Sequence, residues 1–515
     1  MDMDQNHEEK YFTNLQKIFD KYKMKKKEGK LTPEDKKVLE DLIHELNKKE
    51  AEIYSKDKLD RSLKYFLFAL KLSELLEKDE LTSVILNLIG TVFDDKGDLD
   101  SAIDYYKKAV TIDENNNQSW YNLGLIYSDR GESDLAISCF EKAIDVKNDD
   151  YISWNSLGIV YKDLRDYEQA IICWEKAIEL NENYFRAWHN LGLILNRMGE
   201  IDRAIECWEK VVELNEDFSN AWFNLGLSYS IKKQFEKAIN SYEKALELRP
   251  NYHEAWFNLG SIYYSLKEVE KAIECWEKAV EIKDSKDEAW DNLGVVYYKK
   301  NELDQAIACW KKTVEYKEDN VQAWYGLGEA YFKKGEIDSA IACYLKVIEL
   351  DEHNHKVWHN LGVAYYKKGL LDEAINHFEQ AVKSKLDFFE AWNNLGLAYK
   401  DRGVLDQAID CWEKATTINE DFHKAWGNLV VAYTERANFD EAYRISLMLV
   451  QKNPEIEIYW YNFARLCAII GKKAEALDYL EEAIKLNPLN KEFAKKDLGF
   501  AAISKEDKFI KLVRK

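Results

Sequence analysis

Three histidines, His353, His355 and His359, lie close together, the last two one helical turn apart, a spacing that can hold a metal ion. No fourth ligand is evident beside them and the segment is a boundary between two repeats, so a solvated or groove-lining role is expected, with no metal and no other cofactor. The chain has eight cysteines. Cys139, Cys173, Cys207, Cys275, Cys309, Cys343 and Cys411 are separated only by multiples of 34, so they hold one equivalent place in successive units. Equivalent atoms of stacked helical units should lie roughly 8–10 Å apart or more, whereas a disulfide needs Cα atoms within about 7 Å. These cysteines are therefore expected as small buried hydrophobes, consistent with a reducing compartment. There is no glycine-rich phosphate loop, nucleophile elbow, paired metal-binding cysteine motif or zinc-protease motif. The chain is not expected to be an enzyme.

What remains is chemistry of recognition. Two residues after a recurring tryptophan stand Asn122, Asn190, Asn224, Asn258, Asn292, Asn360, Asn394, Asn428 and Asn462, with Ser156 and Gly326 interrupting the row. An asparagine side chain offers a donor and an acceptor, so such a row can pair with the backbone of an extended peptide without reading its side chains. It can equally orient neighbouring helices. Five residues after the tryptophans, Leu125, Ile159, Leu193, Leu227, Val295, Val363 and Leu397 form an apolar stripe suited to peptides with some hydrophobic side chains. In the middle of the chain Tyr264, Tyr298, Phe332 and Tyr366 accompany Lys299, Lys333 and Lys367, whereas outer units carry Asp129, Asp163, Asp401 and Glu435. The lysines suit an acidic or phosphorylated partner segment. Lysine near a helix C-terminus also offsets the helix dipole, worth ~0.3–1 kcal/mol.

These residues are positioned by a strict period. Trp120, Trp154, Trp188, Trp222, Trp256, Trp290, Trp324, Trp358, Trp392, Trp426 and Trp460 are each 34 residues apart. Glycine follows four residues later, from Gly124 to Gly396, and tyrosine seven later, from Tyr127 to Tyr433 in most units. Spacings of three, four and seven define one helical face. A second helix carries, in one unit, Ala204, Ile205, Trp208 and Val211. Turns such as Arg130-Gly131-Glu132 and Met198-Gly199-Glu200 join the two, glycine suiting the left-handed conformation that ends a helix.

This pattern resembles the tetratricopeptide repeat, a 34-residue helix-turn-helix unit. The resemblance covers 83–490 as twelve units and implies an all-α solenoid winding into a right-handed superhelix, with first helices lining a concave groove where ligands bind. The asparagine row is similar to that in the repeat domain of protein O-GlcNAc transferase, whose catalytic domain is not expected here, the last repeat being followed only by 491–515. The family's carboxylate clamp is not expected, because the stripe at Leu125 and its equivalents occupies the place of the clamp asparagine. Proline near the end of each unit is usual in the family. Here only Pro250, Pro454 and Pro488 fill that place, with Glu182, Glu216 and Glu420 elsewhere, so looser turns are expected.

Four segments are expected: a helical segment 1–42, a divergent repeat-like unit with a short insertion over 43–82, the twelve units of 83–490, and a capping helix over 491–515. In the first, Tyr11, Leu15, Ile18, Phe19 and Tyr22 form an apolar stripe. Thr32-Pro33-Glu34-Asp35 forms a helix start, and the basic run Lys21 to Lys27 reads as a solvated face. The cap is expected to use Phe493, Leu498, Phe509 and Leu512. With 46% hydrophobic and 32% charged residues the chain is globular, and four prolines permit an almost wholly helical fold. A net charge of -21 argues against general nucleic-acid binding. No signal peptide or membrane-spanning stretch is evident, so a cytoplasmic place is expected. The leading expectation is a non-catalytic scaffold that binds extended segments of other proteins. A self-associating structural scaffold and a recruiting subunit for a separate enzyme, such as a glycosyltransferase, are the alternatives.

Overall fold

The computed structural model describes residues 2–53, 59–285 and 287–514, with side chains from residue 10 to 48 in the first stretch. Helix follows helix, and no strand occurs among the described residues. The chain forms two compact units, Met1–Ile262 and Tyr263–Lys515. In both, helices come in pairs: Asp79–Asp95 with Leu99–Ile112, Asn117–Asp129 with Ser133–Val146, and onward to Glu457–Ile469 with Lys473–Leu486.

Local chemistry sets the ends of these helices. The side chains of Asp98, Asn116, Asp166 and Asn354 accept the backbone N–H three residues on, capping helix starts. At the turn within a repeat the backbone is left-handed, with φ 74° at Gly131 and 84° at Gly199. Arg165, Lys233 and Ala437 hold the same place at φ 64°, 57° and 60°.

In most pairs a glycine meets a ring sixteen residues on; the last two pairs have Val430 and Ala464 at that place. A Cβ on Gly158 would lie 2.6 Å from Nε1 of Trp174, and one on Gly362 2.5 Å from the ring of Phe378. Both rings are buried, so the missing Cβ is what lets the second helix seat its largest side chain.

The periodic tryptophans do something else. They are half-buried, and their indole N–H donates to the carbonyl six residues earlier, in the turn between repeats. Trp188 bonds Glu182 at 2.9 Å, Trp222 bonds Glu216 at 2.8 Å and Trp426 bonds Glu420 at 2.9 Å. Trp256 and Trp460 make the same bond to Pro250 and Pro454, at 2.9 and 2.8 Å. Turns without proline are thus fastened by the same bond as turns with it, which answers the expectation of looser joints. At Trp154 the indole N–H is buried without a partner.

Successive repeats are also tied by charge. Where the residue ten after the tryptophan is basic it meets an acid thirty residues before it: Arg130 and Asp100 at 2.7 Å, Lys334 and Asp304 at 2.8 Å, Arg436 and Asp406 at 3.0 Å. These pairs are exposed, so each contributes ~0–1 kcal/mol.

Before the pairs lie helices Asp2–Lys27, Pro33–Ile53 and Leu59–Leu76. Thr32 Oγ1 accepts the Asp35 N–H at 3.2 Å while the Asp35 carboxylate accepts the Thr32 N–H at 3.1 Å, a reciprocal cap at the expected helix start. Leu15 and Tyr22 are buried, and Phe12 and Phe19 meet Tyr65 and Phe68 at centroid distances of 4.7 and 6.2 Å. The basic run does not lie wholly in solvent: Lys25 pairs with Asp35 at 2.7 Å and Lys26 donates to the Leu75 carbonyl at 2.6 Å. Of the residues in phase with the later repeats, Leu46, Ser62, Phe66 and Ala69 are buried, while the side chain of Ile53 lies outside those described. Of the insertion over 77–82, only Glu77 and Lys78 stand between helices.

The C-terminal segment differs from a single closing helix. It is helix Asn490–Lys496, a 3-10 turn Leu498–Phe500 and helix Asp507–Arg514. Phe509 joins the core with Phe500, Ile503 and Val513, and Leu512 packs against it, but Phe493 and Leu498 are 59% and 89% exposed. Asp497 breaks the helix by accepting the Gly499 N–H at 2.8 Å and pairing with Arg465 at 3.1 Å.

Candidate functional site

Every member of the asparagine row is half-buried on a first helix. Five of the nine bond a position the sequence did not single out, the residue just after the tryptophan position of the preceding repeat. The Asn122 amide donates to Asn87 at 3.1 Å, Asn190 to Asn155 at 3.0 Å, and Asn428 to Asn393 at 3.0 Å. The Asn360 amide reaches the Tyr325 hydroxyl at 3.4 Å and Glu329 at 2.6 Å, and Asn394 bonds the His359 ring nitrogen at 2.8 Å. Where serine interrupts the row, Ser156 reaches the Tyr121 hydroxyl at 3.5 Å. Asn258 lies near Tyr242, whose hydroxyl is buried without a hydrogen-bond partner among the described residues. Among the described residues Asn224, Asn292 and Asn462 have no hydrogen-bond partner. The row therefore divides into asparagines that join adjacent first helices and asparagines free on both faces of the amide.

The lysine row is ordered by rings. Lys299 stands 5.4 Å from the Tyr264 centroid and donates to its hydroxyl at 2.6 Å. Lys333 lies 5.0 Å over Tyr298 and Lys367 4.0 Å over Phe332. Each ammonium thus sits on the aromatic side chain of the preceding repeat, and the fourth ring, Tyr366, donates instead to Asp401. All three lysines are exposed, and among the described residues none has a carboxylate partner. Their immediate neighbours contrast with them: Lys300, Lys334 and Lys368 are each paired with an acid. Charge neutralisation between repeats is handled by the second lysine of each pair, leaving the first available.

The three clustered histidines have separate surroundings. His353 is 88% exposed beside Glu352. His355 meets the Phe388 ring at 5.3 Å. His359 is packed between Phe378 and Phe388, and burial lowers its pKa. Among the described residues no group of three or more His, Cys, Asp or Glu is placed to hold a metal ion. None of the eight cysteines is in a disulfide and all are buried, and burial pushes the Cys173, Cys207, Cys309 and Cys411 thiols up to about 12. Among the described residues no helix is long and apolar enough to cross a membrane.

Models of the tetratricopeptide repeat match residues 46–115, 118–150, 151–184, 185–218, 219–252, 241–274, 389–422 and 458–488. A TPR repeat model matches 260–301, 296–335, 328–369 and 364–403. Together these ranges span well over half of the chain. Among solved structures, YrrB, described as a TPR protein with an unusual peptide-binding site, is 24% identical over 36% of this chain and 97% of its own, with a TM-score of 0.34. MamA (41-end) from Desulfovibrio magneticus RS-1 is 25% identical over 34% of this chain and 98% of its own, with a TM-score of 0.32. The APC/C hetero-tetramer Cut9-Hcn1 is 16% identical over 80% of this chain and 96% of its own, with a TM-score of 0.35. No curated protein matches the chain.

Proposed function

Because the chain belongs to the tetratricopeptide-repeat family, we propose that it is a non-catalytic scaffold that holds extended segments of partner proteins against its first helices. The observation that carries this reading is the lysine row over its rings, without a carboxylate partner among the described residues, beside a file of half-buried asparagines. Lysines that are ordered by rings but left without a counter-ion suit acidic side chains of a partner. The free amides of Asn224 and Asn292 suit its backbone groups, and the apolar stripe suits its hydrophobic side chains.

Peptides selected from a random library on the full chain test the reading. With an acidic peptide so selected, Lys299, Lys333 and Lys367 changed together to glutamate should lower the association rate and its salt dependence. Asn224→Ala and Asn292→Ala, each made alone, should each weaken the peptides they contact by ~0.5–1.5 kcal/mol without shifting the melting temperature. Asn190→Ala should instead lower the melting temperature, since its amide joins two helices. Unchanged affinities across these variants would place binding elsewhere.

A further inference from the structure

Position 326 is where the asparagine row of the second unit is broken, and the break leaves a cavity of about 300 Å³ between helices Asp287–Lys299 and Val321–Lys334. In five other repeats, those of Asn122, Asn190, Asn360, Asn394 and Asn428, the asparagine amide bonds the residue thirty-five positions earlier, just after the tryptophan position of the preceding repeat. Here that residue is Asp291, and Gly326 has no amide to give. The Trp310 indole comes in from the second helix, its ring 2.6 Å from where a Cβ on Gly326 would stand, and donates to Asp291 Oδ1 at 2.9 Å. Among the described residues Asp291 Oδ2 has no donor.

A second carboxylate lines the same cavity. Glu329 stands in the column five residues after the tryptophans, where most repeats have leucine, isoleucine or valine. Its Oε1 accepts the Tyr344 hydroxyl at 2.8 Å and the Asn360 amide at 2.6 Å, which leaves Oε2 uncommitted among the described residues. Tyr298 and Tyr325 supply aromatic walls. Lys299 also reaches the lining, but its ammonium is bonded to Tyr264, and that of Lys333 lies over Tyr298. The field inside is negative: Glu329 helps to raise the pKa of Tyr298, Tyr325 and Tyr344, after burial itself. Burial likewise raises the Asp291 pKa, so an isolated charge there is costly and a cation would relieve it.

We infer that this cavity is a specificity pocket for one basic side chain, lysine or arginine, of the extended segment bound on the first-helix face. The inference rests on that face being the binding surface, and it makes the preferred segment one of mixed charge: a basic residue seated at Gly326 with acidic residues beside it along the lysine row. The ammonium or guanidinium supplies the donors that the missing amide would have supplied, and charge-assisted bonds to Asp291 and Glu329 are the stronger kind. The aromatic walls hold the aliphatic stem.

The test uses the full chain and short extended peptides, chosen by selection on it, identical but for one central residue: lysine, arginine, norleucine or citrulline. Wild-type protein should prefer lysine or arginine over its neutral counterpart by about tenfold. Asp291→Asn with Glu329→Gln, which keeps the shape of the cavity, should bring that ratio to about one. Gly326→Asn, which fills the cavity with the amide found in other repeats, should do the same. Should the Trp310 ring prevent that variant from folding, the isosteric double variant still decides. Peptides that bind without a cationic preference would overturn the pocket and leave the binding face standing. A library from which no peptide binds would overturn both.

Discussion

A tryptophan in this chain has one of two roles, set by its place in the repeat. Trp208 is fully buried opposite Gly192, and Trp208→Ala should lower stability by ~3–5 kcal/mol. Trp222 fastens a turn through one indole hydrogen bond while half-buried, so Trp222→Phe should cost only about 1 kcal/mol. Thermal denaturation of the two variants separates the roles, and equal losses would contradict the division. The cysteines give a second check at this scale. Burial holds their thiols well above the usual range, so little thiolate exists near neutral pH. Iodoacetamide should leave the in-phase cysteines unmodified in the native protein and alkylate them all once it is unfolded, as read by intact mass.

Helix pairs depend on two backbone features that respond in opposite directions to substitution. A methyl added at Gly158 has no room beneath Trp174, and Gly158→Ala should cost ~1–3 kcal/mol through overpacking. At Ala437 the backbone is left-handed with a Cβ in place, and Ala437→Gly should raise stability by about 1 kcal/mol. Melting temperatures of both variants check the pair. The helix pairing was legible in the sequence because tryptophan, glycine and tyrosine repeat in phase on one face. What joins one repeat to the next was less legible. The indole bond from Trp188 to Glu182 uses a backbone carbonyl, which no residue type reports. The bonds from Asn190 to Asn155 and from Asn394 to His359 fall on a column with no constant residue type. The C-terminal segment departs from a single helix for a related reason: Phe493 and Leu498 look like core residues, but the pairing of Asp497 with Arg465 and its bond to the Gly499 N–H end the helix between them.

At the scale of the molecule, a chain of near-identical units distributes its stability over nearest-neighbour contacts, so what distinguishes one part from another is the departure from the repeat. The candidate site was legible to that extent. The lysine row and the interruption at Gly326 were both visible as departures, whereas the meaning of Gly326 required the neighbouring departures Asp291 and Glu329 to be brought to one cavity. The central claim is that the first helices carry the partner segment. It is tested most directly by selecting peptides on the full chain, giving each a photoreactive benzoylphenylalanine and mapping the cross-links by mass spectrometry. Cross-links should fall on first-helix residues such as Asn292, Val295, Lys299, Gln322 and Lys333. Cross-links confined to the second helices, for example at Gln305 and Lys312, would contradict the account.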